Sequence, residues 1–204
     1  MFSKIALVFL AVVTLLFAHS GGNVGYAHGG IGFQFDLVIP DDPGPVDFGL
    51  GGGFMGIVAF SLGRAGELHY TPNVDVWFGG DHYDHDHAIY QEHYDYTAGE
   101  VGLNIADLRY YFPVPIGVKP FVGLGPMVAL EYQRQEHHYW TGSATTGYWV
   151  EDENYHDWDP NAGFNVFGGV DFKPSDNFAI GFIAKGKLGD WNIFKMIVEM
   201  QFLF

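Results

Sequence analysis

The chain has 204 residues, with nine Lys and Arg against 24 Asp and Glu, a net charge of −15 and no cysteine. The acidic charge repels phosphate backbones and argues against nucleic acid as a partner. The absence of thiols excludes disulfides and thiolate metal sites. Because 48% of the residues are hydrophobic and 18% aromatic, the composition excludes a disordered chain and favours β-strands.

The amino terminus carries the pattern of a secretory signal peptide. Lys4 supplies a positive charge, residues 5–18 form an apolar run, and small residues follow. A membrane anchor helix needs about 20 apolar residues, which is more than this run supplies. We predict a signal peptide over residues 1–20, with cleavage as late as residue 27, and a single exported domain over residues 28–204.

The rest of the chain predicts eight β-strands. They cover residues 30–39, 50–62, 67–78, 96–112, 121–133, 162–172, 178–187 and 191–204. Each strand alternates apolar and polar residues and is long enough to cross a bilayer. In the fourth strand the apolar phase shifts between Ile105 and Leu108, which predicts a β-bulge near Ala106.

Two long polar stretches, residues 79–95 and 134–159, separate some of these strands, and we predict that both form external loops. Long and short connections alternate along most of the chain, as in small outer-membrane barrels. Alternation within a strand does not tell which face is exposed, so a water-soluble barrel with an apolar interior remains an alternative. The last strand favours the membrane, because every second residue from Phe194 to Phe204 is apolar.

Several segments resemble the small outer-membrane β-barrel superfamily that contains the OmpA membrane domain and OmpX-type proteins. These segments are Leu108–Pro113, Pro120–Pro126 and the ending Glu199–Phe204. The resemblance implies an eight-stranded antiparallel transmembrane β-barrel in the outer membrane of a Gram-negative type cell. It also implies that Phe202 and Phe204 form the signal by which barrel-assembly machinery recognises the chain during biogenesis.

The polar face of the predicted strands carries charges that would point into the barrel. The predicted lumen charges are Glu67, Asp75, Glu100, Arg109, Lys185, Lys187, Lys195 and Glu199. Charges inside a membrane barrel must pair or be hydrated. We favour a salt-bridged plug, because an eight-stranded barrel is barely wider than its side chains. The alternative is a narrow, porin-like channel for small solutes.

Seven of the ten histidines lie in the two polar stretches, among acidic residues. Imidazole and carboxylate together suit Zn, Cu or Ni. The sequence predicts a candidate divalent metal site at His82, Asp84, His85, Asp86 and His87. The alternative is a hydrophilic loop that binds metals only adventitiously.

Aromatic residues in and around the same stretches have two interpretations. We predict Trp77, Tyr96, Tyr132 and Trp191 for the girdle of rings at the membrane interface. We predict two further tryptophans, Trp149 and Trp158, for recognition of an external glycan or protein.

No residue pattern specific to an enzyme is present in the predicted strands. We therefore predict a non-enzymatic protein with a structural or surface-binding role, in contact with outer-membrane lipid. The alternative of a lipid-modifying enzyme would use His69, or a histidine of the polar stretches, as its base.

Overall fold

The computed structural model describes residues 25–40, 46–86, 91–114, 117–143, 146–189 and 192–204. Within these residues the chain forms ten strands: β1 Gly25–Pro40, β2 Gly49–Ser61, β3 Glu67–Tyr70, β4 Asn73–Asp86, β5 Gln91–Asn104, β6 Leu108–Tyr111, β7 Val118–Ser143, β8 Thr146–Ser175, β9 Phe178–Leu188 and β10 Ile193–Leu203. A short 3₁₀ helix, Gly63–Ala65, joins β2 to β3. No helix in this part of the chain is long and apolar enough to cross a membrane.

The strands close into a ring of eight. The strands β3 and β4 are two halves of one ring member, separated by Thr71 and Pro72, and β5 and β6 are two halves of the next. Neighbours in the ring are antiparallel, and β1 closes it by pairing with both β2 and β10. The predicted eight-stranded antiparallel barrel is confirmed. The signal peptide lies outside the described residues and stays a prediction.

The predicted bulge near Ala106 is also confirmed. Tyr70 pairs with Leu108 and Asn73 pairs with Asn104, so two residues of one ring member face three of the next. The neighbouring strand β7 shows the same difference of one residue against β5 and β6. The extra residue changes the phase, so that Asn104 and Asp107 are both buried inside the ring.

Apolar side chains cover the outside of the ring and polar ones fill the inside. On β1, Phe33 and Phe35 are 47% and 58% exposed, whereas Gln34 and Asp36 are 3% and 4% exposed. Outward residues of this kind include Leu50, Phe54, Phe78, Val101, Leu103, Val122, Val128, Leu130, Val166, Phe172, Phe182, Phe194, Met196, Val198 and Phe202. We call these residues the apolar belt. It far exceeds the few hundred Å² of apolar patch that soluble monomers expose, so the alternative of a water-soluble barrel is not supported.

The prediction that residues 79–95 and 134–159 form loops is wrong. The ladder of β4 and β5 continues to the pair Asp86 and Gln91, and that of β7 and β8 to the pair Ser143 and Thr146. Tyrosine, tryptophan, threonine and valine recur among the polar residues here and favour strands. Pairing with a neighbour also satisfies the backbone groups. The polar composition therefore marks where the strands leave the apolar belt, and not where they end.

Residues 79–86, 91–97, 133–143 and 146–157 form a four-stranded sheet beyond the apolar belt, which we call the extension. Its two inner strands, β5 and β7, pair without a break from Glu92 and Tyr139 toward the apolar belt. At about 3.3 Å per residue, the β7 part alone is about 33 Å long. Ten acidic residues and one arginine make the extension strongly acidic.

Candidate functional site

The lumen holds a network of buried ion pairs. Arg109 binds Glu199 through two hydrogen bonds, each 2.6 Å long, from its two terminal nitrogens. Its guanidinium also lies 5.2 Å from the ring centre of Phe121 and 5.7 Å from that of Phe167. Both charges are almost fully buried. This bidentate geometry is the strongest form of a protein ion pair.

Three lysines extend the network across the ring. Lys195 lies 2.7 Å from Asp75, Lys185 lies 2.9 Å from Asp107, and Lys187 contacts both Glu100 and Glu131. Seven of the eight predicted lumen charges therefore lie inside the ring in ion pairs. Glu131, on the polar face of the predicted fifth strand, also belongs to the network. Asp107 belongs to it as well, but the sequence did not reveal it, because the bulge changes the phase of the strand there.

Little space remains between these side chains. The cavity beside Arg109, Glu199 and Gln34 has a volume of about 10 Å³. Beside Asp75, Glu100 and Lys187 the free volume is about 0 Å³. One water molecule needs about 10–15 Å³ by the same measure. At these two levels the described lumen therefore admits at most a single water molecule.

Glu67 is the predicted lumen charge that lies apart from the network. It is part-buried near one mouth of the ring, where Lys119 binds it at 2.8 Å and His69 at 3.1 Å. His69 packs inside the ring, with its ring centre 4.2 Å from that of Tyr111. The histidine considered as the base of a lipid-modifying enzyme is therefore turned away from the apolar belt.

Trp77 was predicted for the interfacial girdle, and that prediction is wrong. Its side chain is 0% exposed and packs inside the ring against Val38 and Val46. Gly49 makes room for it, because a Cβ at that position would lie 2.5 Å from the indole ring. Tyr96, also predicted for the girdle, packs against the same buried cluster. Trp191 lies outside the described residues.

Tyr132 and Trp158 form an outward-facing aromatic pair with ring centres 4.7 Å apart. On β7 this pair lies between Leu130 of the apolar belt and Arg134 of the extension, which is the position of an interfacial girdle. Trp158 was predicted for recognition, but it shares this boundary position with Tyr132. Trp149 lies farther along the extension, exposed beside Trp140, and its role in recognition stays a prediction.

The two residues of the predicted assembly signal lie at the seam that closes the ring. Phe202 faces outward and contacts the rings of Phe33 and Phe178. Phe204 exchanges two backbone hydrogen bonds with Gly29, 3.0 and 2.9 Å long. Both residues therefore take part in closing the barrel, and their recognition by assembly machinery stays a prediction.

The histidines and acids of the extension form an ordered array on one face. Three neighbouring strands each contribute two of them, separated by one residue, and the register places them opposite one another. Residues two apart in a strand, and residues paired across strands, share a face of the sheet. We call this array the ligand grid: His82, Asp84, His93, Asp95, Glu136 and His138.

Within the ligand grid, His82 lies between two carboxylates. Its Nδ1 is 2.8 Å from Asp95 and its Nε2 is 3.2 Å from Asp84, which also contacts Nδ1 of His93. The hydrogen bond to Asp95 raises the pKa of His82 above its ordinary value of 6.5. The folded state thus favours the imidazolium. Its contribution to stability is present below pH 6.5 and is lost as the pH rises through the raised pKa.

Two groups of three residues in the ligand grid are close enough to share a metal ion. They are His82, His93 and Asp95, and Asp95, Glu136 and His138, and in each group the ligand atoms lie within 4.8 Å of one another. Of the residues predicted from the sequence, the structure brings His82 and Asp84 into the grid. His87 lies outside the described residues, and the side chains of His85 and Asp86 are not described.

No family model matches the sequence, and no curated protein does either. Among solved structures, the fold is similar to Ail, the attachment invasion locus protein of Yersinia pestis, in complex with the heparin analogue sucrose octasulfate. That match has 12% identity, a TM-score of 0.44 and coverage of 88% of this chain and 99% of Ail.

Two further structures cover the same share of this chain. Neisserial surface protein A is 11% identical with a TM-score of 0.49 and 99% of its chain covered. The N-terminal β-barrel domain of Pseudomonas aeruginosa OprF is 14% identical with a TM-score of 0.39 and 100% covered. Sequence identities this low do not allow the function of these proteins to be assigned to this chain. The fold is established by the closed ring itself. The fold of the chain is an eight-stranded antiparallel β-barrel with the apolar outer face of a transmembrane barrel.

Proposed function

We propose that this protein is an outer-membrane barrel whose function is to hold the extension outside the bilayer as a binding surface. The observation that carries the proposal is the continuation of β4, β5, β7 and β8 beyond the apolar belt as one hydrogen-bonded sheet. A paired sheet keeps its shape without a partner, so a ligand need not offset the entropy of ordering a loop.

The filled lumen supports a binding role over a channel. Its ion pairs leave room for at most one water at two levels, whereas a conducting pore needs a continuous hydrated path. The buried, inward position of His69 also supports a role without lipid chemistry. The apolar belt then serves as the contact with outer-membrane lipid.

The charge of the extension limits which ligands it can attract. Ail is described in complex with a heavily sulfated sugar. Ten acidic residues and one arginine would repel such a polyanion. A metal cation, a basic segment of another protein, or an uncharged glycan stacked on Trp149 suits this surface better.

A labelling experiment on intact cells tests the proposal. The chain has no native cysteine, so one introduced at Tyr155→Cys on the extension, or at Arg64→Cys in the turn between β2 and β3, is the only thiol. We expect a membrane-impermeant maleimide to label Tyr155→Cys on intact cells. Arg64→Cys should react only after the outer membrane is permeabilised. Equal labelling of both variants on intact cells, or of neither, would refute the proposed placement.

A further inference from the structure

We infer that the ligand grid binds a divalent transition metal of the zinc type through His82, His93 and Asp95. The inference rests on the proposed function, because it names the ligand that the extension takes from outside the cell. The residue set differs from the contiguous run predicted from the sequence. It draws on two strands and on the register between them.

The distances within the group match what a metal requires. Zinc binds imidazole nitrogen and carboxylate oxygen at about 2.0–2.2 Å, which places tetrahedral ligands about 3.3 Å apart. His82, His93 and Asp95 offer ligand atoms within 4.8 Å of one another. Side-chain rotations that move the ligand atoms by about 1–1.5 Å close that difference. All three side chains have room for such movements, because each is at least a third exposed.

Asp84 acts as a positioning residue for the two imidazole rings. One of its oxygens contacts Nδ1 of His93 and lies 3.2 Å from Nε2 of His82. Metal-bound histidines usually donate a hydrogen bond from their second ring nitrogen to a carboxylate or another acceptor, which fixes the orientation of the ring. The other nitrogen of each ring is then the one offered to the metal.

Asp95 gives the ligand grid a second ligand group. It also belongs to the group with Glu136 and His138 on β7, so it lies beside possible ligands from both hairpins of the extension. With three protein ligands, one coordination position is left for water or for an external ligand.

Calorimetry on the full chain folded in detergent, titrated with Zn²⁺ at neutral pH, tests the inference. We expect binding of one ion for the wild type and none measurable for Asp95→Asn. Asp84→Asn, which removes a hydrogen-bond partner of the ligands but no ligand, should weaken binding by ~10–100-fold. His93→Gln removes a ligand and should weaken binding by more than that. His156→Gln is the matched control, since this exposed histidine of β8 lies outside both ligand groups, and it should bind as the wild type does.

Cobalt titration provides a second readout, because Co²⁺ in a site with nitrogen and oxygen ligands gives visible absorption bands that free Co²⁺ lacks at that intensity. The bands should be absent in Asp95→Asn and present in His156→Gln. Binding that survives Asp95→Asn and His93→Gln, or that is lost in His85→Gln/His87→Gln instead, would overturn the inference. Such a result would leave the proposed function standing, because the labelling experiment tests that separately.

Discussion

Replacing Glu199 with leucine is expected to lower the free energy of unfolding of the barrel by about 3–5 kcal/mol. The carboxylate accepts both hydrogen bonds from Arg109 in a nearly dry part of the lumen. Its removal leaves a buried guanidinium without a counter-ion, and burying an unpaired charge is far more costly than losing an exposed ion pair. Urea unfolding in lipid vesicles, followed by tryptophan fluorescence, measures the change.

The double variant Arg109→Met/Glu199→Leu separates pairing from packing. Replacing both partners with apolar residues of similar volume is often neutral, so the double variant should recover most of the lost stability. Arg64→Met is the matched control, because Arg64 is exposed in a turn, and it should change stability by no more than about 0.5 kcal/mol. A loss below 1 kcal/mol in Glu199→Leu would show that the lumen is hydrated at this level.

Replacing Val198 with arginine is expected to destabilise the folded barrel by about 2–4 kcal/mol, the cost of an arginine that faces lipid near the bilayer midplane. Val198 faces outward near the middle of β10 and is 41% exposed. Its neighbours across the ladder, Phe35 and Phe182, are outward and apolar as well. The same vesicle unfolding assay measures the change.

The matched control is Gln133→Arg, which places the same charge on an exposed residue of the extension. It should cost no more than about 0.5 kcal/mol, because its side chain is in water. In a water-soluble barrel an arginine at a half-exposed surface valine would be equally cheap. Similar stability of the two variants would therefore contradict a lipid-facing belt.

The sequence predicts the barrel well because each strand has one buried and one exposed face. Alternation alone predicts that Phe33 and Phe35 lie on the opposite face of the strand from Gln34 and Asp36. A single change of phase predicts the bulge near Ala106. These signals are local, since the two-residue period of a strand holds wherever a face is buried. Which face is outside follows only from the closed ring, because closure is a property of all the strands together.

The ligand grid could not be read from the chain in the same way. The sequence predicts the ligands within one contiguous run, because its polar composition indicates a loop. In the structure the run is a strand, so only residues of one parity share a face, and their partners come from other strands. The signal was nevertheless present in three ligand pairs with one residue between them: His82 and Asp84, His93 and Asp95, and Glu136 and His138. Their alignment required the register between strands, which the sequence does not specify.

Nitroxide scanning tests most directly whether the apolar belt faces lipid while the extension faces water. Single cysteines at Phe194, Val198 and Phe202 on β10, and at Gln133 and Tyr155 on the extension, would each be spin-labelled in protein reconstituted into vesicles. Collision rates with oxygen, which concentrates in lipid, and with a water-soluble nickel chelate would then be compared. We expect oxygen to dominate on β10, most strongly at Val198, and the chelate to dominate at both extension sites. Dominance of the nickel chelate at Val198 would contradict the claim that this barrel spans a bilayer.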